Sequence, residues 1–536
     1  MAIVNFAEDV NSSPSVLIAH LNSIGSAVGG VVSGESAVYE LGDFRYTVGL
    51  VGGGFGIDSL TITESGRPYA EITAIGIPTF LFLVAIDAEA TGDDATAIED
   101  LVLGLDWEYH GNDNDDILLP DAVSDDGVPL NFAGDDVVYL NGGNDEFALG
   151  DGDDTAYGGL GADTLYGGAG DDQLFGNAGK DTLRGGEGDD LLSGGNGKDK
   201  IIGGAGYDIV SYEEDDFFGG TQGINADLKA GEIVDTFGKT DTVKGIEEIW
   251  GSVFDDIMKG SSADDTFDGI EGDDRLVGRG GNDYLAGGVG NDVLKGGKGA
   301  DDLNGGIGDD RLIGGKGADF LAGLSGDDVI KGGAGNDILS YEFDHHSGAS
   351  TGIIADLKTG EIIDAFGDTD TVSTIEVIRG TIFDDTILGS SVDEEIDGND
   401  GDDVLDGRGG ADVISGGNGD DTLDGGKGAD TLNGGSDNDY LAGGKGADVL
   451  LGGEGVDTLL GGKGNDTLTG GADADLFVFA TGGGDDVVTD FEVGVDDFEF
   501  VGASVITFEQ VGDDLLLTGD DATLLLLNTN IVDFDL

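Results

Sequence analysis

Aspartate returns every nine residues, in unbroken phase with glycine, over three stretches of this chain. The first carries Asp136, Asp145, Asp154, Asp163, Asp172, Asp181, Asp190, Asp199 and Asp208. The second carries Asp256, Asp265, Asp274, Asp283, Asp292, Asp301, Asp310, Asp319, Asp328 and Asp337. The third runs Asp385, Glu394, Asp403, Asp412, Asp421, Asp430, Asp439, Asp448, Asp457, Asp466 and Asp475. Two positions after most of these acids stands an apolar residue, such as Leu174, Leu183, Leu192 and Ile201, or Leu423, Leu432, Leu441 and Leu450. The unit is GGxGxDxUx, with U apolar. Regular carboxylates beside glycines that let backbone carbonyls crowd together form an oxygen ligand set for a hard cation. Ca²⁺ accepts about six to eight such oxygens in flexible geometry, whereas Mg²⁺ demands a tighter octahedron and keeps its waters. The chain has no cysteine, so neither a thiolate site nor a disulfide can serve instead.

The spacing also dictates the elements that must hold these groups. Glycines at positions 1, 2 and 4 allow positive φ and close approach of carbonyls that a Cβ would block. The x-U-x triplet suffices for a very short strand with one side chain in and two out. Such strands become stable when stacked in parallel, with a column of Leu, Ile and Val inside and carboxylate-crowded turns outside. Two strands and two turns make a coil of eighteen residues, so Asp172 is expected above Asp190 and Asp181 above Asp199.

The predicted cation ligands are therefore Asp154, Asp163, Asp172, Asp181, Asp190 and Asp199, then Asp274, Asp283, Asp292, Asp301, Asp310, Asp319 and Asp328, then Asp403, Asp412, Asp421, Asp430, Asp439, Asp448, Asp457 and Asp466. With them go the turn glycines Gly168, Gly170, Gly186, Gly188, Gly297, Gly299, Gly315, Gly317, Gly426, Gly428, Gly444 and Gly446. If each site takes two units eighteen residues apart, the arrays hold roughly 20–25 Ca²⁺, enough to cancel about half of the formal charge.

This nonapeptide resembles the RTX repeat (repeats-in-toxin), over roughly residues 131–212, 251–340 and 380–475. The resemblance implies an all-β chain, a parallel β-roll or β-helix solenoid with a small N-terminal β-rich cap and a C-terminal β cap. It also implies calcium between the turns. The tail from Ala472 is similar to the C-terminal segments that close RTX rolls and carry an uncleaved type I secretion signal, on Asp475, Phe477, Phe479, Asp486, Asp490, Phe491 and Gly494. That resemblance implies a type I exporter as a partner.

Composition bounds the partners. Asp and Glu number 111 against 23 Lys and Arg, a formal charge of −88. A chain this acidic repels itself and resists compaction until counter-ions are bound. It offers no basic stripe, so nucleic acid is not an expected partner. The start, "MAIVNFAEDVNSS", does not read as a cleaved secretory signal. The longest apolar run, Ile77 to Ile86, is too short to span a bilayer, and no transmembrane segment is expected.

Seven segments follow: 1–110, a β-rich cap; 111–212, a first roll, with "GNDNDDILL" an imperfect opening unit; 213–250, an insertion; 251–341, a second roll; 342–379, a second insertion; 380–475, a third roll; 476–536, the C-terminal cap and secretion signal. Within 1–110, alternation in "AVYELGDFRYTVGL", "DSLTITES", "AEITAIGI" and "FLFLVAI" predicts strands, followed by a helix-compatible piece around "DATAIEDLVLGL". The insertions match at a constant offset of 129 residues, with 30 of 49 positions identical from Asp208 and Asp337 onward. They read as wider coils that continue the solenoid, with tips that are spacers or binding loops. His345 and His346 fall where the first insertion has Asp216 and Phe217, which places them in an exposed loop.

No HExxH and no GxSxG nucleophile elbow occurs, and "GESAV" at Gly34 lacks the final glycine. His20 and His110 stand alone in sequence. The chain is expected to be a secreted, non-enzymatic, calcium-folded protein, extracellular or attached to the cell surface. Its expected role is structural or interactive, as a surface-layer, filament or matrix subunit. It would assemble with itself or with anionic surface glycans through bridging calcium. The alternative is a secreted calcium-dependent enzyme, acting on polysaccharide or another hydrolysable substrate, with a site in residues 1–110 or on the insertion tips.

Overall fold

The computed structural model describes residues 134–480 and 482–501, the backbone of strands at 36–41, 44–50, 57–64, 67–73, 108–110 and 117–118, and segments 507–512, 514–518 and 523–527. It divides into two compact units, Met1–Ser252 and Val253–Leu536. The helix-compatible piece around residues 94–105 and the apolar run 77–86 lie outside the described residues.

The first unit opens with an antiparallel meander of Ser36–Leu41, Phe44–Leu50, Ile57–Glu64 and Arg67–Thr73. These are three of the alternating stretches read as strands from the sequence. From there the ladder turns parallel. Glu108–His110 pairs with Val137–Tyr139, and Ile117–Leu118 with the strand beginning at Glu146. Nonapeptide strands then stack in register at eighteen residues, Phe147 on Leu165, Leu165 on Leu183 and Leu183 on Ile201. The opposite wall stacks Ala156, Leu174, Leu192 and Val210. Every one of these apolar residues is buried, which makes the U position the core. On the outer surface Tyr139, Tyr157 and Phe175 stack at centroid separations of 5.0 and 4.9 Å.

The second unit repeats the plan. One wall carries Met258, Leu276, Leu294, Leu312 and Ile330, the other Phe267, Leu285, Leu303, Leu321 and Leu339, all fully buried. After the second insertion the columns resume at Ile378 and Ile387 and run to Leu468 and Phe477. At the end, Asp497–Val501 pairs in parallel with Leu476–Ala480, and an antiparallel hairpin of Thr507–Val511, Asp514–Thr518 and Thr523–Leu526 joins Asp485–Val488. This change from parallel to antiparallel pairing buries Leu515, Leu517, Leu524 and Leu526.

Each insertion is a coil with a side hairpin. Val243 stacks on Ile201 and Ile249 on Val210, so the solenoid register is kept across the inserted residues. The surplus chain folds out as antiparallel strands Asn225–Asp227, Glu232–Val234 and Thr240–Lys244. In the second unit Val372 stacks on Ile330 and Ile378 on Leu339, and Ile354–Asp356, Glu361–Ile363 and Thr369–Ser373 make the same hairpin. Among the described residues the only helix is a single 3₁₀ turn, Asp344–Ser347, and none is long and apolar enough to cross a membrane.

Candidate metal centres along the roll

The repeated aspartate links each coil to the next. The backbone N–H of Asp172 donates to Asp190 Oδ1 at 3.0 Å, and that of Asp181 to Asp199 Oδ1 at 2.7 Å. Asp154 donates to Asp172, and Asp145 to Asp163 Oδ1 at 2.8 Å. In the second unit the same bond joins Asp274 to Asp292, Asp301 to Asp319, Asp403 to Asp421 and Asp448 to Asp466, at 2.7–3.0 Å. The vertical pairs read from the spacing are thus neighbours in space, each carboxylate held at a fixed height by the coil before it.

One oxygen is used in this way; the other is not. Oδ2 of Asp154, Asp172, Asp181, Asp190 and Asp199 is buried with no hydrogen-bond partner. So is Oδ2 of Asp274, Asp283, Asp292, Asp301, Asp310, Asp319 and Asp328, and of Asp403, Asp412, Asp421, Asp430, Asp439, Asp448, Asp457 and Asp466. A buried, unsatisfied acceptor on an ionisable group is costly unless a partner is supplied.

What surrounds these oxygens is a small cradle lined by backbone. A Cβ placed on Gly167 would stand 2.1 Å from Asp172 Oδ2 and 2.7 Å from the carbonyl oxygen of Gly185, the matching glycine one coil on. At Gly158 the same point lies 2.7 Å from Asp163 Oδ2 and 2.9 Å from Gly176 O, and at Gly416 it lies 2.1 Å from Asp421 Oδ2 and 2.7 Å from Gly434 O. A carboxylate oxygen and a carbonyl oxygen from adjacent coils therefore converge on one spot that only glycine leaves open. That is a hard-cation environment, and Ca²⁺ fits the donor set of carboxylate plus carbonyl. Among the described residues no three His, Asp or Glu side chains gather into an all-side-chain metal site, so the carbonyls are needed.

The predicted turn glycines all have positive φ, for instance 134° at Gly168, 126° at Gly170, 125° at Gly297 and 156° at Gly446. They do more than turn the chain. A Cβ on Gly168 would lie 1.9 Å from the Gly150 carbonyl oxygen, and one on Gly170 would lie 2.1 Å from that of Gly152. Position 2 also takes larger residues at positive φ: Asn177 at 68°, Ile270 at 75°, Arg279 at 78°, Leu324 at 67°, Asn399 at 75° and Arg408 at 62°.

Electrostatics follow from the burial. Desolvation, reinforced by the neighbouring carboxylates, pushes Asp172 and Asp403 up to about 8, Asp274 to about 9, and Asp181, Asp310 and Asp421 to about 7. Backbone N–H donors pull each value back without compensating. Without a cation the column is therefore poised against ionisation at neutral pH.

Several functional features escape the nine-residue motif. The first glycine of each unit, expected to take positive φ, does not do so at Gly167, Gly176 or Gly185; it supplies the carbonyl and the open space of the cradle instead. A second, outer ladder runs along position 5, where Asp171 N donates to Asp153 Oδ1 and Asp189 N to Asp171 Oδ1, at 2.9 and 2.8 Å. The ends of the arrays differ from their middles: Asp265 Oδ2 is taken by Ser261 N and Asp385 Oδ2 by Thr381 N, each at 2.6 Å, and Glu394 by Ser390. The insertions bury further carboxylates, Asp215, Asp235 and Asp241, and at the matching positions Asp344, Asp364 and Asp370. His345 and His346 lie in the 3₁₀ turn with ring centroids 3.9 Å apart, His345 part-exposed and His346 exposed. In the tail, Asp486 Oδ1 accepts from Asp466 N, and Asp490 from the N–H groups of Gly470 and Gly471.

Comparison with known proteins agrees with this geometry. The family model of the RTX calcium-binding nonapeptide repeat matches in overlapping copies over residues 133–210, 250–339 and 388–488, half of the chain. Among solved structures, the extracellular lipase LipA from Serratia marcescens is similar at 21% identity and a TM-score of 0.14, over 47% of this chain and 44% of that one. The chain thus spans less than half of that protein's length. No curated protein sequence matches it.

Proposed function

Because the chain belongs to the RTX calcium-binding nonapeptide repeat family, we propose that it is a secreted protein that folds on meeting calcium outside the cell. Its work there is structural or interactive, at the cell surface or in the matrix, and not catalytic. The observation that carries this reading is the column of buried Oδ2 atoms without partners, stacked coil after coil. A folded state with this column ionised is incomplete until cations fill it.

Packing alone does not make up the difference. Each unit buries one large apolar side chain, about 2–3 kcal/mol. The conformational entropy lost in ordering nine residues opposes it. Calcium contributes the missing free energy by joining coils, and in so doing couples binding to folding. The residues that would hold it are the aspartates and the position-1 carbonyls of adjacent coils. The ion supplies positive charge; the chain supplies an oxygen cage whose spacing is fixed by the ladder.

Export follows the same logic. RTX-type sites with the affinity of extracellular modules, about 10⁻⁴–10⁻³ M, stay empty at cytosolic calcium levels. An unfolded, strongly acidic chain suits a narrow type I exporter and folds on arrival. The filled roll still carries acidic outer ladders, which calcium can bridge to a second copy or to anionic glycans. The test is a calcium titration of the full chain, followed by circular dichroism and light scattering. We expect β-structure to appear near millimolar calcium, with scattering that rises as copies assemble. β-structure that persists in excess EDTA at neutral pH overturns the calcium-folded reading. Calcium-dependent turnover of casein, lipid or glycan in a zymogram overturns the non-enzymatic part alone.

A further inference from the structure

The two insertions lie outside the matched repeats, and each buries carboxylates that the nonapeptide ladder does not explain. In the second insertion Asp344 opens the 3₁₀ turn, is only 1% exposed, and has no hydrogen-bond partner on either Oδ1 or Oδ2. Asp364 lies in the hairpin turn that follows Glu361–Ile363. Its Oδ1 accepts three backbone N–H groups, from Phe366, Gly367 and Asp368 at 2.7–3.0 Å, while its Oδ2 is buried and has no partner. The charge that acts most strongly on Asp344 is Asp364, followed by Asp370, Asp328 and Asp385. Asp370 is already satisfied, with Oδ1 accepting from Asp328 N and Oδ2 from Tyr341 OH at 2.8 Å.

The first insertion repeats the arrangement with one informative change. Asp235 Oδ1 accepts from Phe237 N and Lys239 N, and its Oδ2 is buried and unpartnered. Asp241 accepts from Asp199 N and Tyr212 OH. Asp215, the counterpart of Asp344, has Oδ2 capped by Thr236 Oγ1 at 2.7 Å. The second insertion has Ala365 at that position, so the hydroxyl is gone and Asp344 is left with nothing.

We propose that the second insertion holds one further divalent cation of calcium chemistry, separate from those of the roll, bridging Asp344 with Asp364, where the first insertion caps the matching Asp215 with Thr236. A bare carboxylate this deeply buried among like charges is costly, and a shared cation serves both members of the pair. Among the described residues no three acidic or histidine side chains gather as a metal site, so the shell is completed by carbonyl oxygens or water, as Ca²⁺ permits and Mg²⁺ resists. The consequence is mechanical. Asp344 belongs to the turn leaving the coil and Asp364 to the projecting hairpin, so the ion pins the hairpin to the roll and presents its tip in one orientation.

The inference rests on the calcium-folded reading, and native mass spectrometry of the calcium-loaded full chain separates the two. Asp344→Asn with Asp364→Asn is expected to carry one ion fewer than the wild type. The ions of the roll are retained. An unchanged count in a variant whose circular dichroism matches the wild type overturns the proposal. A wild type that binds no calcium overturns the parent reading instead. Should the variants fail to fold, long-wavelength diffraction from calcium-loaded wild-type crystals decides. A calcium anomalous peak between Asp344 and Asp364 supports the proposal, and its absence beside occupied roll sites overturns it.

Discussion

The coils of the roll and the coils that carry the insertions solve the same problem by different means. In the middle of a nonapeptide array the aspartates are treated alike: Oδ1 is consumed by the backbone of the preceding coil and Oδ2 faces the glycine cradle, as at Asp172, Asp190 and Asp421. In an insertion coil the task is divided. Asp241 and Asp370 continue the ladder and spend their second oxygen on a tyrosine hydroxyl, while the unsatisfied oxygens move to Asp235, Asp364 and Asp344. The repeat delivers ligands by register alone, whereas the insertion relies on a turn and a hairpin meeting. A roll site is thus as strong as the stack around it, and an insertion site is local.

The largest effect that tests this contrast is removal of calcium. Chelation at neutral pH is expected to abolish the β-sheet circular dichroism signal of the rolls altogether, because no coil is complete without its neighbours. A chain in which the rolls survive and only the hairpins loosen would reverse the comparison.

Acid offers a second route to the same column. Burial and like-charge neighbours raise the roll aspartates above their unfolded value of 3.8, to about 8 at Asp172, about 7 at Asp181 and about 9 at Asp274. A group whose pKa is higher in the folded state favours folding below its unfolded pKa, and loses that contribution as pH rises through the folded value. The metal-free chain should therefore gain β-structure as pH falls from about 9 towards 4, the opposite of ordinary acid denaturation. Circular dichroism in EDTA across that range checks the sign. With calcium saturating, the same range should show little change until the ligands protonate and release the ion.

A third test compares two glycines of positive φ, one in each region. Gly186 has φ 139° and a Cβ there would lie 2.0 Å from the Gly168 carbonyl oxygen. Gly348 has φ 103° but nothing within 4 Å. Gly186→Ala is expected to cost about 2–4 kcal/mol, strain plus a clash with backbone that cannot give, and to raise the calcium midpoint. Gly348→Ala should cost about 1 kcal/mol, strain alone. Equal effects would mean that the stacked coils breathe enough to admit a methyl group.

The two regions also differed in how far they could be read from sequence. Period nine with an apolar residue two places after aspartate determines the parallel coil of eighteen, so the pairing of Leu165 with Leu183 and the bond from Asp172 to Asp190 were legible in advance. That backbone carbonyls join the carboxylates was legible too, but not which ones: the carbonyl of Gly185 beside Asp172 Oδ2 shows only in the stacked coils. The insertions were recognisable as duplicates and as continuations of the solenoid. Their buried acids were not singled out, since in a chain with 111 acidic residues an aspartate off the repeat carries no signal. Only the contrast of Thr236 with Ala365, meaningful once Asp215 and Asp344 are seen beneath them, marks the site.

The smallest expected effect concerns how the second hairpin is held apart from any cation. Arg408 Nη1 and Nη2 reach Asp356 Oδ1 and Oδ2 at 2.7 and 3.0 Å, and Nη1 also donates to the Gly389 carbonyl at 3.0 Å. The pair holds Asp356 below the usual carboxylate range, yet both side chains remain about a third exposed, at 27% and 32%. Solvent screening therefore limits the loss in Arg408→Ala to about 0.5–1 kcal/mol. Lysine should not restore it, because the forked geometry needs a guanidinium. The calcium midpoint of the roll should not move, while amide exchange in Ile354–Asp356 and Glu361–Ile363 should quicken. If the midpoint shifts instead, the hairpin is coupled to the stack more tightly than a hydrated ion pair allows, and the insertion is no longer a local module.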